Sequence, residues 1–125
     1  MDWSQYPNFT ESEMRCKHTG KCEMHPVFMQ RLQHLRTVYG APLIVNSAYR
    51  DKSHPEEVNK TEPGAHTMGR AVDLSIRGAD AVKLLRLALE FGFTGIGISQ
   101  KGASRFIHLD DVADGSLPRP SLWSY

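Results

Sequence analysis

Apolar side chains recur every three or four residues in one early stretch of the chain, between polar residues such as Gln30 and Arg31. The apolar positions are Val27, Phe28, Leu32, Leu35 and Val38. This spacing predicts an amphipathic helix, because residues three and four apart share one face of an α-helix. Pro26 suits the first turn, so we expect the helix to run from Pro26 to about Tyr39 and to stop at Gly40.

Two further helices are predicted from the residues at their starts. Thr10 and Glu13 have the spacing of a capping box, which predicts a short helix over about 11–16. Asp80 suits the N-cap position of a second helix over 81–91. Most of that segment is apolar, so we expect this helix to be largely buried.

Four short runs of β-branched and apolar residues are typical of strands. The runs are 43–45, 71–76, 95–98 and 105–109. The first is apolar enough for a buried strand, and the last two form a hairpin because a short connection separates them. Helices at the start, then strands with one helix inserted, predict an α+β fold with a small, mostly antiparallel sheet flanked by helices.

Two glycines and two aromatic residues stand out in the last third of the chain. Gly95 and Gly97 share one face of their strand, which can leave room for a ligand or metal beside the neighbouring strand. The tail from Gly115 onward has no regular pattern. We still expect Trp123 and Tyr125 to dock on the core, because a free tail rarely ends in tryptophan and tyrosine.

Length and charge restrict the possible functions. The chain has 125 residues, which is one domain's length, so we expect a single domain over 1–125. Its formal net charge is +1 and it has no basic run, so we expect no nucleic-acid partner. No segment is apolar for long enough to span a membrane, and the first five residues lack the build of a secretory signal.

Cys16, His18, Cys22 and His25 lie close together in the sequence, which suggests a structural metal site as one possibility. Their spacing matches neither a paired Cys-x-x-Cys arrangement nor the usual zinc-finger pattern. We therefore favour a pair of free thiols or a local disulfide, and the sequence does not choose between these two.

The segment 64–74 carries the candidate chemistry. His66 stands before a glycine turn, and Asp73 lies inside an apolar run that is typical of a strand. Gly69 allows the chain to fold back so that His66 and Asp73 converge. An imidazole and a carboxylate are two of the three protein ligands that a catalytic zinc needs. The best candidate for the third ligand is His108, on a later strand.

These residues carry a family resemblance. The pattern HxxGxAxD over 66–73, followed by His108 on a strand, resembles the M15 peptidases, in the fold group of zinc D,D-peptidases and hedgehog proteins. The upstream Ser-Ala-Tyr-Arg at 47–50 resembles the family's Ser-Gly-Tyr-Arg, with alanine in place of glycine. Together the matches cover roughly residues 43 to 110, and their combination is specific.

The resemblance implies a zinc peptidase that cuts short peptides containing D-amino acids in bacterial peptidoglycan. It implies that Arg50 contacts the substrate and takes part in catalysis, because a guanidinium fork fits a carboxylate or carbonyl group. Tyr49 and Ser47 are expected to bind substrate beside it. We expect a monomer whose partner is a peptidoglycan stem peptide. Without a signal of its own, it is expected to stay cytoplasmic until released, or to be carried in a phage virion.

The residue that accepts the water's proton is harder to identify. Many relatives carry a glutamate or aspartate three residues before the last metal-binding histidine, but here that residue is Arg105. Asp110 is our candidate for this catalytic role, because it lies two residues beyond His108 on the same strand face. The alternative is that Asp110 orients His108 by accepting its second ring proton.

The polar loop over 51–63 can also supply charged side chains to the site. Those considered are His54, Glu56, Glu57 and Glu62, of which His54 and Glu57 are a third possibility for the base. A loop glutamate also offers Arg50 a different role, namely a structural ion pair.

Two other functions compete with the peptidase. The first is a catalytically inactive, zinc-holding module that binds wall peptide or forms part of a virion, which the missing acid at Arg105 favours. The second is a different zinc hydrolase with the same ligands. The sequence does not distinguish a carboxypeptidase from an endopeptidase.

Overall fold

The structure is a computed structural model that describes residues 1–61 and 63–125, so Glu62 of the polar loop lies outside the described residues. Its helices are α1 (Glu11–Met14), α2 (Pro26–Tyr39) and α3 (Gly78–Glu90), after a short 3₁₀ turn at Trp3–Gln5. Its strands are β1 (Ile44–Ser47), β2 (Ala71–Ser75), β3 (Gly95–Ser99), β4 (Phe106–Asp110) and β5 (Ser121–Ser124).

All five strands form one sheet in the order β1-β2-β4-β3-β5. The pairs β1–β2, β2–β4 and β3–β4 are antiparallel, and β3–β5 is parallel. The prediction of an α+β fold with a mostly antiparallel sheet is therefore confirmed. β2 and β4 are direct neighbours, so side chains at facing positions of these two strands lie close together.

One face of the sheet packs against helices in a single large apolar cluster. The strands contribute Val72, Leu74, Ile107 and Leu109, and the helices contribute Phe28, Leu32, Leu35 and Leu84. Because successive side chains of a strand point to opposite faces, the intervening residues Asp73 and His108 lie on the other face. The polar site is thus held by strands whose backs are anchored in the core.

The two earlier helices form as their caps predict. α2 begins with Pro26 and ends before Gly40, whose φ of +79° provides the left-handed C-cap. α1 has the full capping box between Thr10 and Glu13. It ends at Met14, two residues sooner than the expected boundary.

α3 differs from its prediction in its start and in its burial. It begins at Gly78 after Arg77, which makes no side-chain cap, so the assignment of Asp80 as N-cap was wrong and Asp80 lies in the first turn. Val82 and Leu89 are exposed, so the helix is less buried than its composition predicts. The physical reason is that only one side of α3 meets the sheet, and its opposite side faces solvent.

β1 is not the buried strand that its composition predicts. Ile44 is 65% exposed, because β1 lies at the edge of the sheet. The tail also differs from its prediction, since Ser121–Ser124 forms β5 and extends the sheet beyond β3. The local sequence of the tail lacks a strand pattern, and the partner that orders it lies some 25 residues earlier in the chain.

Candidate functional site

Two neighbouring strands and one turn bring the predicted ligands together. Asp73 of β2 pairs directly with His108 of β4 in the antiparallel register. His66 comes from the turn just before β2, in which Gly69 has a φ of +68°. A side chain at Gly69 would run into the carbonyl oxygen of Glu23, so this turn requires glycine for space as well as for conformation.

The three side chains converge on one carboxylate oxygen. His66 Nε2 lies 3.3 Å from Asp73 Oδ1, and His108 Nδ1 lies 3.0 Å from the same oxygen. All three residues are buried, and their candidate ligand atoms lie within 4.8 Å of one another. Among residues 1–61 and 63–125, this is the one group of at least three such side chains placed to hold a metal ion.

The second nitrogen of each imidazole ring has a partner of its own. His66 Nδ1 lies 2.6 Å from the carbonyl oxygen of Ala48, and His108 Nε2 lies 2.7 Å from Asp110 Oδ2. Such outer partners fix the orientation and tautomer of metal-binding histidines. His66 therefore presents Nε2, and His108 presents Nδ1, to a common point beside Asp73.

The two carboxylates at the site, Asp73 and Asp110, favour a cation there. Burial alone raises the pKa of Asp73, but hydrogen bonds with His108 and His66 outweigh it and hold the pKa well below its usual range. Burial lowers the pKa of His108, yet its bonds with Asp110 and Asp73 raise it above the ordinary value. For Asp110, burial is again outweighed, here by bonds with His108 and Arg119, and the pKa falls to about 2. Both carboxylates are therefore ionised at neutral pH.

A cleft of about 730 Å³ has the cluster in its lining. Besides the three clustered residues, the lining includes Ser47, Arg50, Glu56, Phe106, Trp123 and Tyr125. Charged groups and aromatic rings thus surround the candidate metal centre, and the cleft has room for part of a peptide.

The sequence profile of a family described as Peptidase M15 matches residues 7–110. This chain belongs to the M15 peptidase family. The predicted family is therefore confirmed, and membership indicates a peptidase. No curated protein matches the sequence. None of the helices in the described residues is both long and apolar enough to cross a membrane.

In this M15 family member, Arg50 and Ser47 both lie in the cleft. Arg50 Nε donates to Ser47 Oγ at 3.2 Å, and Arg50 Nη2 lies 3.4 Å from Asp73 Oδ2. Arg50 also forms ion pairs with Glu56 at 3.1 Å and with Glu57 at 3.5 Å. The guanidinium therefore forms the ion pairs with loop glutamates that a structural role for Arg50 predicts. It also contacts Asp73, one of the three candidate metal ligands.

Tyr49 does not line the cleft, and the structure does not support its predicted contact with substrate. Its side chain is buried, and its hydroxyl donates to Glu23 Oε2 at 3.0 Å. Burial, together with this bond, raises the pKa of Tyr49 to about 12. The chain turns inward after β1, where the amide of Tyr49 donates to the carbonyl oxygen of Met14. Tyr49 therefore packs in the core beside α1.

Asp110 also lies outside the cleft lining, and it is 0% exposed. Both of its oxygens accept hydrogen bonds from Arg119, at 2.9 Å and 2.7 Å. This placement does not support the expectation that Asp110 accepts a proton from water in the cleft. It fits the alternative role, in which Asp110 orients His108.

The loop residues separate into those that reach the cleft and those that do not. Glu56 lines the cleft, whereas Glu57 is buried behind Arg50 and bonds to Lys60 at 2.9 Å. The ring of His54 lies outside the cleft lining, 6.0 Å from the ring of His18. Neither of the two loop residues considered for the base, His54 and Glu57, lines the cleft. Of the described loop groups expected to reach the site, Glu56 is the one that faces the cleft.

The tail contributes two aromatic side chains to the site, which no pattern in the sequence predicted. Trp123 lies beside His108, with ring centroids 5.1 Å apart, and Tyr125 lies 5.0 Å from Phe106. The terminal aromatics had been expected to dock, but not at the cleft. Gly95 and Gly97 do leave room, although Asp110 and Trp123 fill it.

The cysteine-rich segment takes no part in the site. Cys16 and Cys22 are both free thiols, the first buried and the second partly exposed. Cys16 Sγ accepts a hydrogen bond from the amide of Asp51. Within the described part of the chain, these cysteines and the nearby His18 and His25 do not form a metal-binding group.

Proposed function

We propose that this chain is a zinc-dependent peptidase that hydrolyses D-amino-acid-containing peptides of bacterial peptidoglycan. The observation that carries the proposal is the buried cluster of His66, Asp73 and His108, which lines a cleft in a member of the M15 peptidase family. The substrate class rests on the family resemblance of the sequence. We further propose a monomer that binds neither nucleic acid nor membrane.

The donor set fits zinc. Two imidazole nitrogens and one carboxylate oxygen form the three-ligand set of many catalytic zinc sites, which keep a fourth position open. His66 Nε2, Asp73 Oδ1 and His108 Nδ1 would hold the ion, and the outer bonds to Ala48 and Asp110 already orient both rings. When bound, zinc polarises a carbonyl group and lowers the pKa of water from ~15.7 towards ~7.

Arg50 is suited to hold the substrate beside the cluster. Its side chain is 14% exposed in the cleft, and Ser47 and Asp73 fix the direction of the guanidinium. A guanidinium donates in a planar fork and stays protonated, so it can bind a peptide carbonyl or carboxylate group in two places. Glu56 is 63% exposed, so its ion pair with Arg50 can give way to substrate at little cost.

Glu56 is suited to accept the proton that leaves water during hydrolysis. It takes this role from Asp110, which is enclosed by Arg119 and His108. Glu56 and Asp73 both lie against the same nitrogen of Arg50, at 3.1 Å and 3.4 Å, so the glutamate stands next to the metal cluster. A general base must be within reach of the proton, directly or through one water, and Glu56 is the carboxylate of the described loop residues that lines the cleft beside the cluster.

Purified peptidoglycan provides the direct test. The zinc-loaded chain should release new amino or carboxyl termini, a chelator should abolish that release, and added zinc should restore it. A His66→Ala variant is the matched control for contaminating hydrolases. Product analysis on purified stem peptides then separates a carboxypeptidase from an endopeptidase. Hydrolysis of amides outside the wall, with none of stem peptides, would identify a different zinc hydrolase and overturn the proposed substrate.

A zinc-holding module without hydrolytic activity is the second candidate. The presence of Arg105 at the position where many relatives carry an acid favours it, and Arg105 lies outside the cleft lining. This function predicts full zinc occupancy and binding of stem peptides with no new termini. The same digestion experiment therefore decides between the two functions. A phage origin stays a prediction, because neither the site nor the family match bears on it.

A further inference from the structure

We infer that Arg119 is a positioning residue of the metal centre, which fixes His108 for metal binding by clamping Asp110. The inference rests on the metal site of the proposed function, and it extends that site into the C-terminal segment. The family profile ends at residue 110, so this residue comes from a part of the chain that the profile does not cover.

Arg119 and Asp110 form a pair joined by two hydrogen bonds. Arg119 Nε donates to Asp110 Oδ1 at 2.9 Å, and Arg119 Nη2 donates to Oδ2 at 2.7 Å. The side chain of Arg119 is 11% exposed and that of Asp110 is 0% exposed. Two parallel hydrogen bonds fix the plane of a carboxylate as well as its position, which a single contact cannot do.

The same carboxylate contacts the metal cluster. Asp110 Oδ2, which accepts from Arg119, also lies 2.7 Å from His108 Nε2. The other nitrogen of that ring faces Asp73 in the cluster. Asp110 therefore sets the rotation of the His108 ring, and Arg119 sets the orientation of Asp110.

Two glycines of β3 leave space for this arrangement. A side chain at Gly95 would run into the Asp110 carboxylate, and one at Gly97 would run into the Trp123 indole. Trp123 in turn lies 5.1 Å from the ring of His108 and 5.1 Å from the guanidinium carbon of Arg119. Two glycines of β3 thus admit the carboxylate that bonds to His108 and the aromatic ring that lies beside it in the cleft.

The pairing of β5 holds the segment in place. Gly95 pairs with Ser121 and Gly97 pairs with Trp123 in the parallel register. Arg119 is thus connected to His108 in two ways, through the buried carboxylate of Asp110 and through their common neighbour Trp123. Partners behind a metal-binding residue typically contribute roughly 10–100-fold to metal affinity or activity.

The test measures zinc affinity rather than activity. Zinc-free full-length protein is titrated with zinc in competition with a chromophoric chelator, and Co²⁺ is added to a second sample to record its ligand-field spectrum. Arg119→Gln should weaken zinc binding by roughly 10–100-fold and alter the cobalt spectrum. Arg119→Lys should recover part of the loss, because it keeps the charge without the fork. Arg77→Gln, which removes a guanidinium bonded to the Ala103 carbonyl, is the matched control and should bind like the parent.

Two further variants remain informative if Arg119→Gln does not fold. Gly95→Ala should displace the Asp110 carboxylate and weaken zinc binding with Arg119 still present. The double variant Asp110→Asn with Arg119→Gln leaves no unpaired buried charge. If Arg119 acts through Asp110, the double variant should bind zinc no more weakly than Asp110→Asn alone, because the two effects share one route.

The outcomes separate this inference from the proposed function. A parent protein that binds no zinc overturns both. A parent that binds zinc, with a folded Arg119→Gln variant of equal zinc affinity and a lower melting temperature, overturns the positioning role alone. Equal zinc affinity of Gly95→Ala and the parent, or additive losses in the double variant, overturns it as well.

Discussion

The two sides of the His108 ring are built differently. On the cleft side, Nδ1 faces Asp73, whose other oxygen meets Arg50, and Arg50 pairs with the mostly exposed Glu56. On the far side, Nε2 faces a fully buried carboxylate that Arg119 holds with two hydrogen bonds. The two sides differ in their carboxylates, because Glu56 is 63% exposed and Asp110 is 0% exposed, whereas both arginines line the cleft.

This difference matches what the proposed function requires of each side. Glu56 is the mostly exposed member of its pair with Arg50, so in the proposed function a substrate can replace it on Arg50 at small cost. Removing one member of a buried pair leaves an uncompensated charge, so the far side resists rearrangement. In the proposed function, the far side keeps the histidine oriented, and the cleft side binds substrate and accepts a proton.

The greatest loss is expected from replacing His66, one of the three candidate metal ligands. His66→Ala removes one of three ligands, so the variant should lose its zinc and fall to the activity of the metal-free protein. Elemental analysis and peptidoglycan digestion measure the two quantities. His54→Ala, at a histidine outside the cleft lining, is the control and should keep both. Full zinc occupancy in His66→Ala would contradict the ligand assignment.

The second greatest loss is expected at Glu56, on the cleft side of the His108 ring. Glu56→Gln keeps the shape of the side chain but removes the proton acceptor, so kcat should fall by roughly 10²–10⁴-fold with zinc retained. Steady-state kinetics on a stem peptide, with metal analysis of the same sample, measure this. Glu90→Gln, on the exposed end of α3, should leave kcat unchanged. An unchanged kcat in Glu56→Gln would assign the proton to another group.

Arg50→Lys should have a smaller effect on the same side. Lysine keeps the charge but loses the planar fork, which costs roughly 1.5–3 kcal/mol, or about ten- to a hundredfold in kcat/KM. Zinc content and melting temperature should stay near those of the parent. Arg105→Lys, outside the cleft lining, is the control. Unchanged kinetics would make Arg50 a structural ion-pair residue only.

The smallest effect should be at Tyr49, which lies on neither side of the ring. Tyr49→Phe removes the hydrogen bond to Glu23 and should lower the free energy of unfolding by about 1–2 kcal/mol. KM and kcat should not change, because the side chain is buried away from the cleft. Denaturant unfolding and steady-state kinetics check the two parts. A raised KM at unchanged stability would restore the predicted substrate contact.

Features that depend on residues close together in the chain could be predicted from the sequence alone. The ends of α2 follow from Pro26 and Gly40, and the capping box of α1 follows from residues three apart. The alternation of side chains along β4 places His108 and Asp110 on one face, as expected. The spacing over 66–73 likewise indicated that His66 and Asp73 meet, since a glycine turn and a short strand lie between them.

Which carboxylate of the site meets solvent depends on contacts between segments that are distant in the sequence. Asp110 and Glu56 are both carboxylates near the site, but Arg119 and Gly95 enclose the first, whereas the second lines the cleft. No local pattern marks Arg119 as the partner of Asp110, because the tail is ordered by a strand far from it in sequence. Burial depends on which distant segments pack together. Residue spacing in the sequence predicts only contacts between residues that are close in the chain.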